Sequence, residues 1–253
     1  MTIVSAGAVH SPAILLRSGI GVDDGRPVGA NLMDHAATPG FEVALVPEAR
    51  LPFADTRTFT SMLRYTSGLA DAGPNDMQIL WFDGVGATDA GMADARIIGA
   101  VMRVFSRGRV RLRSNDPTMD PIVEFRLLSD DRDVVRLRDA VRRIIELVRH
   151  PAVTAVIERA VALETPLDEL DSDDAIGSWL REHVTDYMHA AGTCRMGATD
   201  DPEAVVDTEC RVIGYDGLRV GDASVLPDVP KANTHLTTVA IAERIAEIIR
   251  AGA

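Results

Sequence analysis

The chain has 253 residues, of which 46% are hydrophobic, 25% charged and 4% aromatic, with 38 acidic against 26 basic side chains and a formal charge of -12. That length holds one large domain or two small ones, the composition excludes a disordered chain, and the acidic balance excludes the broad basic face that nucleic acid requires. No apolar run reaches the roughly 18 residues of a membrane helix, the start lacks the basic residues of a secretory signal, and two cysteines, Cys194 and Cys210, make no disulfide framework, so a cytoplasmic chain without a membrane span is expected.

Thr2 to Ser5 reads as a short apolar strand, followed by a helix opened by Ser11 as cap and Pro12 in its first turn. Residues 19–36 are rich in Gly and Asp and read as loop. Phe41 to Val46 reads as a strand, and Leu51 to Ala72 is mixed. Met77 to Asp83, Arg96 to Phe105 and Arg109 to Arg113 are apolar or alternating runs bounded by Gly, Asp and Ser, which places a β-sheet in the middle third. From Asp130 to Arg149, Val134, Val135, Leu137, Ala140, Val141, Ile144, Ile145 and Val148 recur at spacings of three and four, giving an amphipathic helix with arginines on its outer face. Further helices are expected over Asp173 to Glu182 and Leu236 to Arg250, with short strands around Val205, Val212 and Leu218 to Val220 between them. The fold class is α+β.

Three clusters carry candidate chemistry. In Tyr187 to Gly197 (YMHAAGTCRMG), His189 can exchange a proton near neutral pH, and the glycines allow a backbone to approach a ligand closely. A histidine among apolar residues also serves as an ordinary structural side chain. In Gly217 to Pro227 (GLRVGDASVLP), a strand feeds a small-residue turn with Asp222 at its end. Asn233 to Thr238 (NTHLTT) opens the last helix, where free N–H groups favour a carbonyl or an anion, although Asn233 or Thr234 also reads as a plain cap. The third cluster is Gly7 to Gly21 (GAVHSPAILLRSGIG), with Val28 to His35 (VGANLMDH) close behind.

In this order, these motifs resemble the signatures of the glucose–methanol–choline (GMC) flavoprotein oxidoreductases: the Ser-Pro run ending in Ser-Gly-Ile-Gly, Val-Gly-x-Asn-Leu-x-Asp-His with Ala30 where Glu is common, His-x-x-Gly-Thr-Cys-Arg-Met-Gly, and Gly-Leu-Arg-Val-x-Asp-Ala-Ser. The likeness covers nearly all of this chain and only the C-terminal half of the family. It implies a substrate domain built on a β-sheet and flanked by helices, plus the C-terminal remnant of a Rossmann-like FAD domain. Residues 1–36 and 201–253 are expected in the FAD domain, and 37–200 in the substrate domain.

The resemblance implies FAD-dependent oxidation of a small alcohol, hydride passing to flavin N5, with His189 as acid/base and His235 as the second member of the pair. It sets Asp222 and Ala223 against the flavin's ribityl and phosphate region, with Leu236, Thr237 and Thr238 facing the ring. The electron acceptor is oxygen or a quinone-like compound. The Gly-x-Gly-x-x-Gly turn that holds the cofactor's pyrophosphate does not occur in the sequence, so a separate N-terminal FAD-binding polypeptide is an expected partner. The alternative is a non-catalytic GMC-derived fragment or binding subunit. Zinc at His183, His189 and Cys194 lacks a fourth ligand at structural spacing, and a serine hydrolase built on Ser224 or Ser18 lacks a Gly-x-Ser-x-Gly elbow. Cys194 and Cys210 read as packed small hydrophobes, and His10, His35 and His150 as structural.

Overall fold

The computed structural model describes residues 1–50, 59–88 and 91–251. In chain order the elements are β1 (Thr2–Val4), α1 (Gly7–Arg17), β2 (Phe41–Leu45), β3 (Phe59–Tyr65), β4 (Met77–Thr88), β5 (Gly91–Val101), β6 (Arg109–Arg111), β7 (Ile122–Glu124), α2 (Asp131–Arg149), α3 (Pro151–Thr154), β8 (Ile157–Ala162), α4 (Asp173–His183), β9 (Leu218–Val220) and α5 (His235–Ala251). They fall into two compact units. One comprises Met1–His35, Val104–Ser129 and Asp186–Ala253, the other Ala36–Arg103 and Asp130–Thr185. Residues 104–129 and 186–200 group by contact with the two termini, a different division from the linear one that the family resemblance implies.

The second unit is an antiparallel five-stranded sheet in the order β3-β4-β5-β2-β8, with α2 against β4 and β5 and α4 against α2. Helix α2 starts where its sequence says, because the Asp130 carboxylate accepts the Arg132 N–H at 2.9 Å. Val134, Leu137, Ala140, Val141, Ile144, Ile145 and Val148 are buried along one stripe. Val135 is the exception at 45% exposed, one residue and about 100° away from the stripe. Gly99 on β5 lets the helix approach, since a Cβ there would fall 2.8 Å from the Ala140 methyl. Arg136, expected on the outer face, is buried instead. Its guanidinium donates to Asp76 at 3.2 Å and to Asp133 at 2.5 Å, which offsets the cost of burying the charge. Strands β3 and β8 complete a sheet that the periodicity located only in part, and residues 51–58 of the segment read as mixed lie outside the described residues. The Arg96 to Phe105 strand is shifted to Gly91–Val101.

In the first unit, β1 pairs in parallel with β9, Thr2 opposite Leu218 and Val4 opposite Val220, and β6 pairs antiparallel with β7. Helix α1 begins at Gly7, five residues before the start at Pro12 that a Ser11 cap implies, and the Ser11 hydroxyl accepts the Ala6 N–H at 2.9 Å from inside the helix. Pro12 lies mid-helix. Its missing N–H leaves the Ala8 carbonyl, four residues back, without its usual donor, and the Thr193 hydroxyl fills that place at 2.7 Å. The strands expected at Val205 and Val212 are reduced to single bridges, Met196 with Val206 and Val206 with Val212. Leu15, Ile20, Val28, Cys194, Val206, Val220, Val225 and Ile245 form the apolar core here. Among the described residues β9 is the only strand paired with β1, and Ile3, Leu236 and Val239 are exposed.

Candidate active site

Backbone hydrogen bonds draw three separate motifs of the first unit together. Gly29 N–H donates to the Thr193 carbonyl at 2.8 Å, and Met33 and Ala191 exchange N–H donors at 3.0 and 2.9 Å. On the other side, Gly192, Cys194 and Met196 donate to Ala223, Ser224 and Val225 at 3.1, 2.8 and 2.9 Å. The His189 to Gly197 segment is thus held between the Val28 to His35 segment and the turn that follows β9. Gly192 permits the fit: its φ is +88°, and a Cβ would sit 2.6 Å from the Asn31 carbonyl oxygen.

His189 stands at the head of this seam. Asp34, 1% exposed, accepts the Tyr187 N–H on Oδ1 at 3.1 Å and the His189 N–H on Oδ2 at 3.0 Å. Between those two donors Met188 adopts a left-handed φ of 57°, a conformation costing roughly 1–2 kcal/mol in a non-glycine residue. The carboxylate's two hydrogen bonds hold that turn and fix where the imidazole begins. Nδ1 of His189 lies 2.8 Å from Nδ1 of His35, and Nε2 of His35 lies 3.0 Å from the Pro230 carbonyl oxygen. The imidazoles meet nearly at right angles, 5.0 Å between centroids, and the Tyr187 ring edge packs against His189 at 5.1 Å. Nε2 of His189 faces the Asn233 side-chain amide at 3.4 Å.

Burial pushes the His189 pKa below its ordinary 6.5, so the ring is neutral at pH 7. Burial raises Asp34 to about 7, against the lowering influence of the two backbone donors. Ligand atoms of Asp34, His35 and His189 lie within 4.8 Å of one another. Both carboxylate oxygens already accept backbone N–H groups and both His35 nitrogens have partners, so the trio reads as a hydrogen-bond network, not a metal centre.

The other expected site residues are dispersed along the same unit. His235 starts α5 on the surface, and among the described residues no hydrogen bond joins it to His189. Leu236 is 78% exposed, while Thr237 and Thr238 are half-buried, the Thr238 hydroxyl donating to the Thr234 carbonyl at 2.9 Å. The Asp222 carboxylate is turned inward: it accepts Gly7 N–H at 2.9 Å, Ser11 O–H at 2.5 Å and Ser224 N–H at 2.8 Å. The Ala223 carbonyl takes the Gly192 N–H. Cys194 and Cys210 are buried and free, their thiols raised by burial to about 12 and about 11. Sequence reasoning gave no role to Asp34 or Pro230, left Asn233 or Thr234 between a plain cap and part of an anion seat, and left His35 structural. The signal was present in Val28 to His35, whose last two residues are Asp34 and His35.

The sequence model described as GMC oxidoreductase matches residues 104–242 in its C-terminal part and residues 1–37 in its N-terminal part. The chain belongs to the GMC oxidoreductase family. Among curated GMC relatives, 5-(hydroxymethyl)furfural oxidase of Methylovorus sp. (strain MP688) is 38% identical over 98% of this chain and 50% of its own length. Oxygen-dependent choline dehydrogenase of Brucella ovis is 31% identical over 98% and 51%. Pyridoxine 4-oxidase from Mesorbium loti superposes with a TM-score of 0.79 at 27% identity, over 97% of this chain and 50% of that one. A formate oxidase variant from Aspergillus oryzae, at 21% identity and a TM-score of 0.84 over 99% and 54%, shares the fold. This GMC chain therefore spans about half the length of the relatives it matches. Among the described residues no helix is long and apolar enough to cross a membrane.

Proposed function

We propose that this chain supplies the substrate-side machinery for FAD-dependent oxidation of a hydroxymethyl-bearing alcohol to its aldehyde, with His189 as the general base. The observation that carries the reading is the half-buried, neutral His189 ring, anchored through Asp34 and His35 with its Nε2 edge left toward Asn233. An alcohol hydroxyl placed at that nitrogen loses its proton to it, which raises electron density at the carbinol carbon. FAD, when bound, supplies the hydride acceptor. On the return step the imidazolium gives its proton up to solvent.

The residues fit a flavin in part. The first turn of α5 is exposed, and its leading N–H groups with their positive dipole end suit an acceptor-rich ring edge, so Leu236 and Thr237 are assigned to hold it, while the Thr238 N–H is spent on the Thr234 carbonyl at 2.9 Å and Thr238 serves to fix the turn. The Asp222 carboxylate is spent inside the chain, and it acts on the cofactor only by shaping the turn. His235 is assigned as the second group on the substrate oxygen, its role orientation. The edge of β1 that no described strand pairs and the exposed Ile3, Leu236 and Val239 favour a further, dinucleotide-binding segment as the partner that completes the FAD site. Oxygen is the acceptor we assign, following the names of the furfural oxidase and choline dehydrogenase relatives.

The test supplies the chain with a dinucleotide-binding segment and FAD, then offers 5-(hydroxymethyl)furfural, choline and pyridoxine while carbonyl product is measured. Product from at least one of these alcohols, abolished by His189→Ala with flavin still bound, supports the reading. Flavin binding without oxidation of any alcohol would favour a binding subunit instead. Reoxidation of the reduced flavin by oxygen faster than by a quinone checks the acceptor.

A further inference from the structure

His35 packs edge-on against His189 and holds its Nδ1 at 2.8 Å. The geometry points to a larger part: His35 is the positioning residue that decides which nitrogen of His189 carries a proton and which is free to accept one. This rests on His189 being the base.

The Pro230 carbonyl lies 3.0 Å from His35 Nε2, and a carbonyl only accepts, so Nε2 carries the hydrogen. A neutral His35 ring carries one N–H, so with Nε2 donating to the Pro230 carbonyl its Nδ1 presents a lone pair. Across 2.8 Å stands Nδ1 of His189. Two nitrogens at that separation share one hydrogen, and His35 does not provide it. His189 Nδ1 does. A neutral imidazole holds one N–H, so His189 Nε2 is left with a bare lone pair, which matches the Asn233 amide nitrogen facing it at 3.4 Å.

The chain of donors therefore runs one way, from His189 to His35 to the Pro230 carbonyl, and ends at a backbone atom that cannot reverse it. Rotation of either ring is opposed by its surroundings. The rings cross at 88°, Tyr187 packs edge-on against both, and Asp34 holds the His189 backbone. When Nε2 takes a proton, the charge is shared through Nδ1–H into the His35 lone pair, a contact that strengthens as the imidazolium forms. With the opposite tautomer, Nε2–H would meet a substrate hydroxyl as a donor, and the proton could not be taken.

Nitrogen-15 NMR of the full chain tests this, because protonated and bare imidazole nitrogens have well separated shifts. At mildly alkaline pH the wild-type chain is expected to show His189 protonated on Nδ1 and His35 on Nε2. In His35→Phe, which offers no acceptor, His189 shifts toward the Nε2–H form. In His35→Asn, whose side-chain oxygen occupies the δ position, the Nδ1–H form returns. Amide spectra report whether each variant keeps its fold, and if the Phe variant unfolds, the wild-type assignment and the Asn variant decide. In the assembly loaded with FAD through a dinucleotide-binding segment, kcat should fall by about 10–100-fold in His35→Phe with KM little changed, and recover most of that in His35→Asn. Wild-type His189 protonated on Nε2 would overturn the assignment whatever the activity. An Nδ1–H form in a flavin-loaded protein that oxidises no alcohol would uphold the tautomer lock and overturn the proposed function.

Discussion

A histidine acts as a base only while it is uncharged, and burial holds the His189 pKa below 6.5, as its proposed role requires. Among the described residues Asp34, His35 and Tyr187 pack around it, and the Asp186 charge acts on Asp34. Activity is expected to rise with pH along a limb whose apparent pKa lies below 6.5 and then stay level through neutrality, as a kcat/KM profile would show; a limb above 7 would contradict the assignment. His189→Ala should cost about 100–10,000-fold in kcat. His235→Ala, removing orientation only, should cost less. Asp34 carries the opposite pH signature. Its folded pKa of about 7 stands above the ordinary 3.8, so the native state holds an extra proton between these values, and stability falls as pH rises from about 4 to about 7. The slope is about 1.4 kcal/mol per pH unit across that window. Denaturant unfolding of wild type and Asp34→Asn should show the wild-type advantage greatest near the acid end and shrinking toward neutrality.

At the scale of elements, the seam between α1 and the Thr193 segment joins a helix defect to its repair. Pro12 withholds a donor from the Ala8 carbonyl and Thr193 supplies one. Thr193→Val should therefore lower stability by about 1–3 kcal/mol, the cost of a buried unpaired carbonyl. In a Pro12→Ala background the backbone N–H of residue 12 restores the helical bond, and Thr193→Val should then cost under half as much. Equal costs in the two backgrounds, measured in a double-mutant cycle, would refute the pairing. This seam also shows what the sequence could disclose. Helix α2 was legible because its apolar residues recur at helical spacing and Asp130 caps it. The start of α1 was not, because Ser11 and Pro12 imitate a helix opening while Ala6, the real N-cap, has no polar side chain and the acceptors there come from Ser11 and the distant Asp222. Strand β8 was illegible as Ile-Glu-Arg-Ala-Val-Ala, an edge strand with polar residues turned outward. The His35 to His189 contact joins residues 154 apart and follows only from the pairing of Met33 with Ala191, which no local pattern announces.

For the whole molecule, two compact units divide the chain, and the unit holding His189 is assembled from three stretches of sequence. Its β1 edge and exposed apolar residues are the features a completing segment would cover. The chain spans about half the length of its GMC relatives, so cofactor binding is expected to be a property of the completed assembly. Residues 1–253 incubated with FAD should acquire little bound flavin, and a dinucleotide-binding segment supplied alongside should produce a retained flavin spectrum. Strong binding of FAD by these residues alone would contradict that division of labour. The central claim is that His189 takes the alcohol proton, and anaerobic mixing of the flavin-loaded assembly with an accepted alcohol tests it most directly. Wild type should bleach the flavin in a single turnover while His189→Ala retains its flavin and bleaches at least about 100-fold more slowly; bleaching of His189→Ala at the wild-type rate would contradict the account.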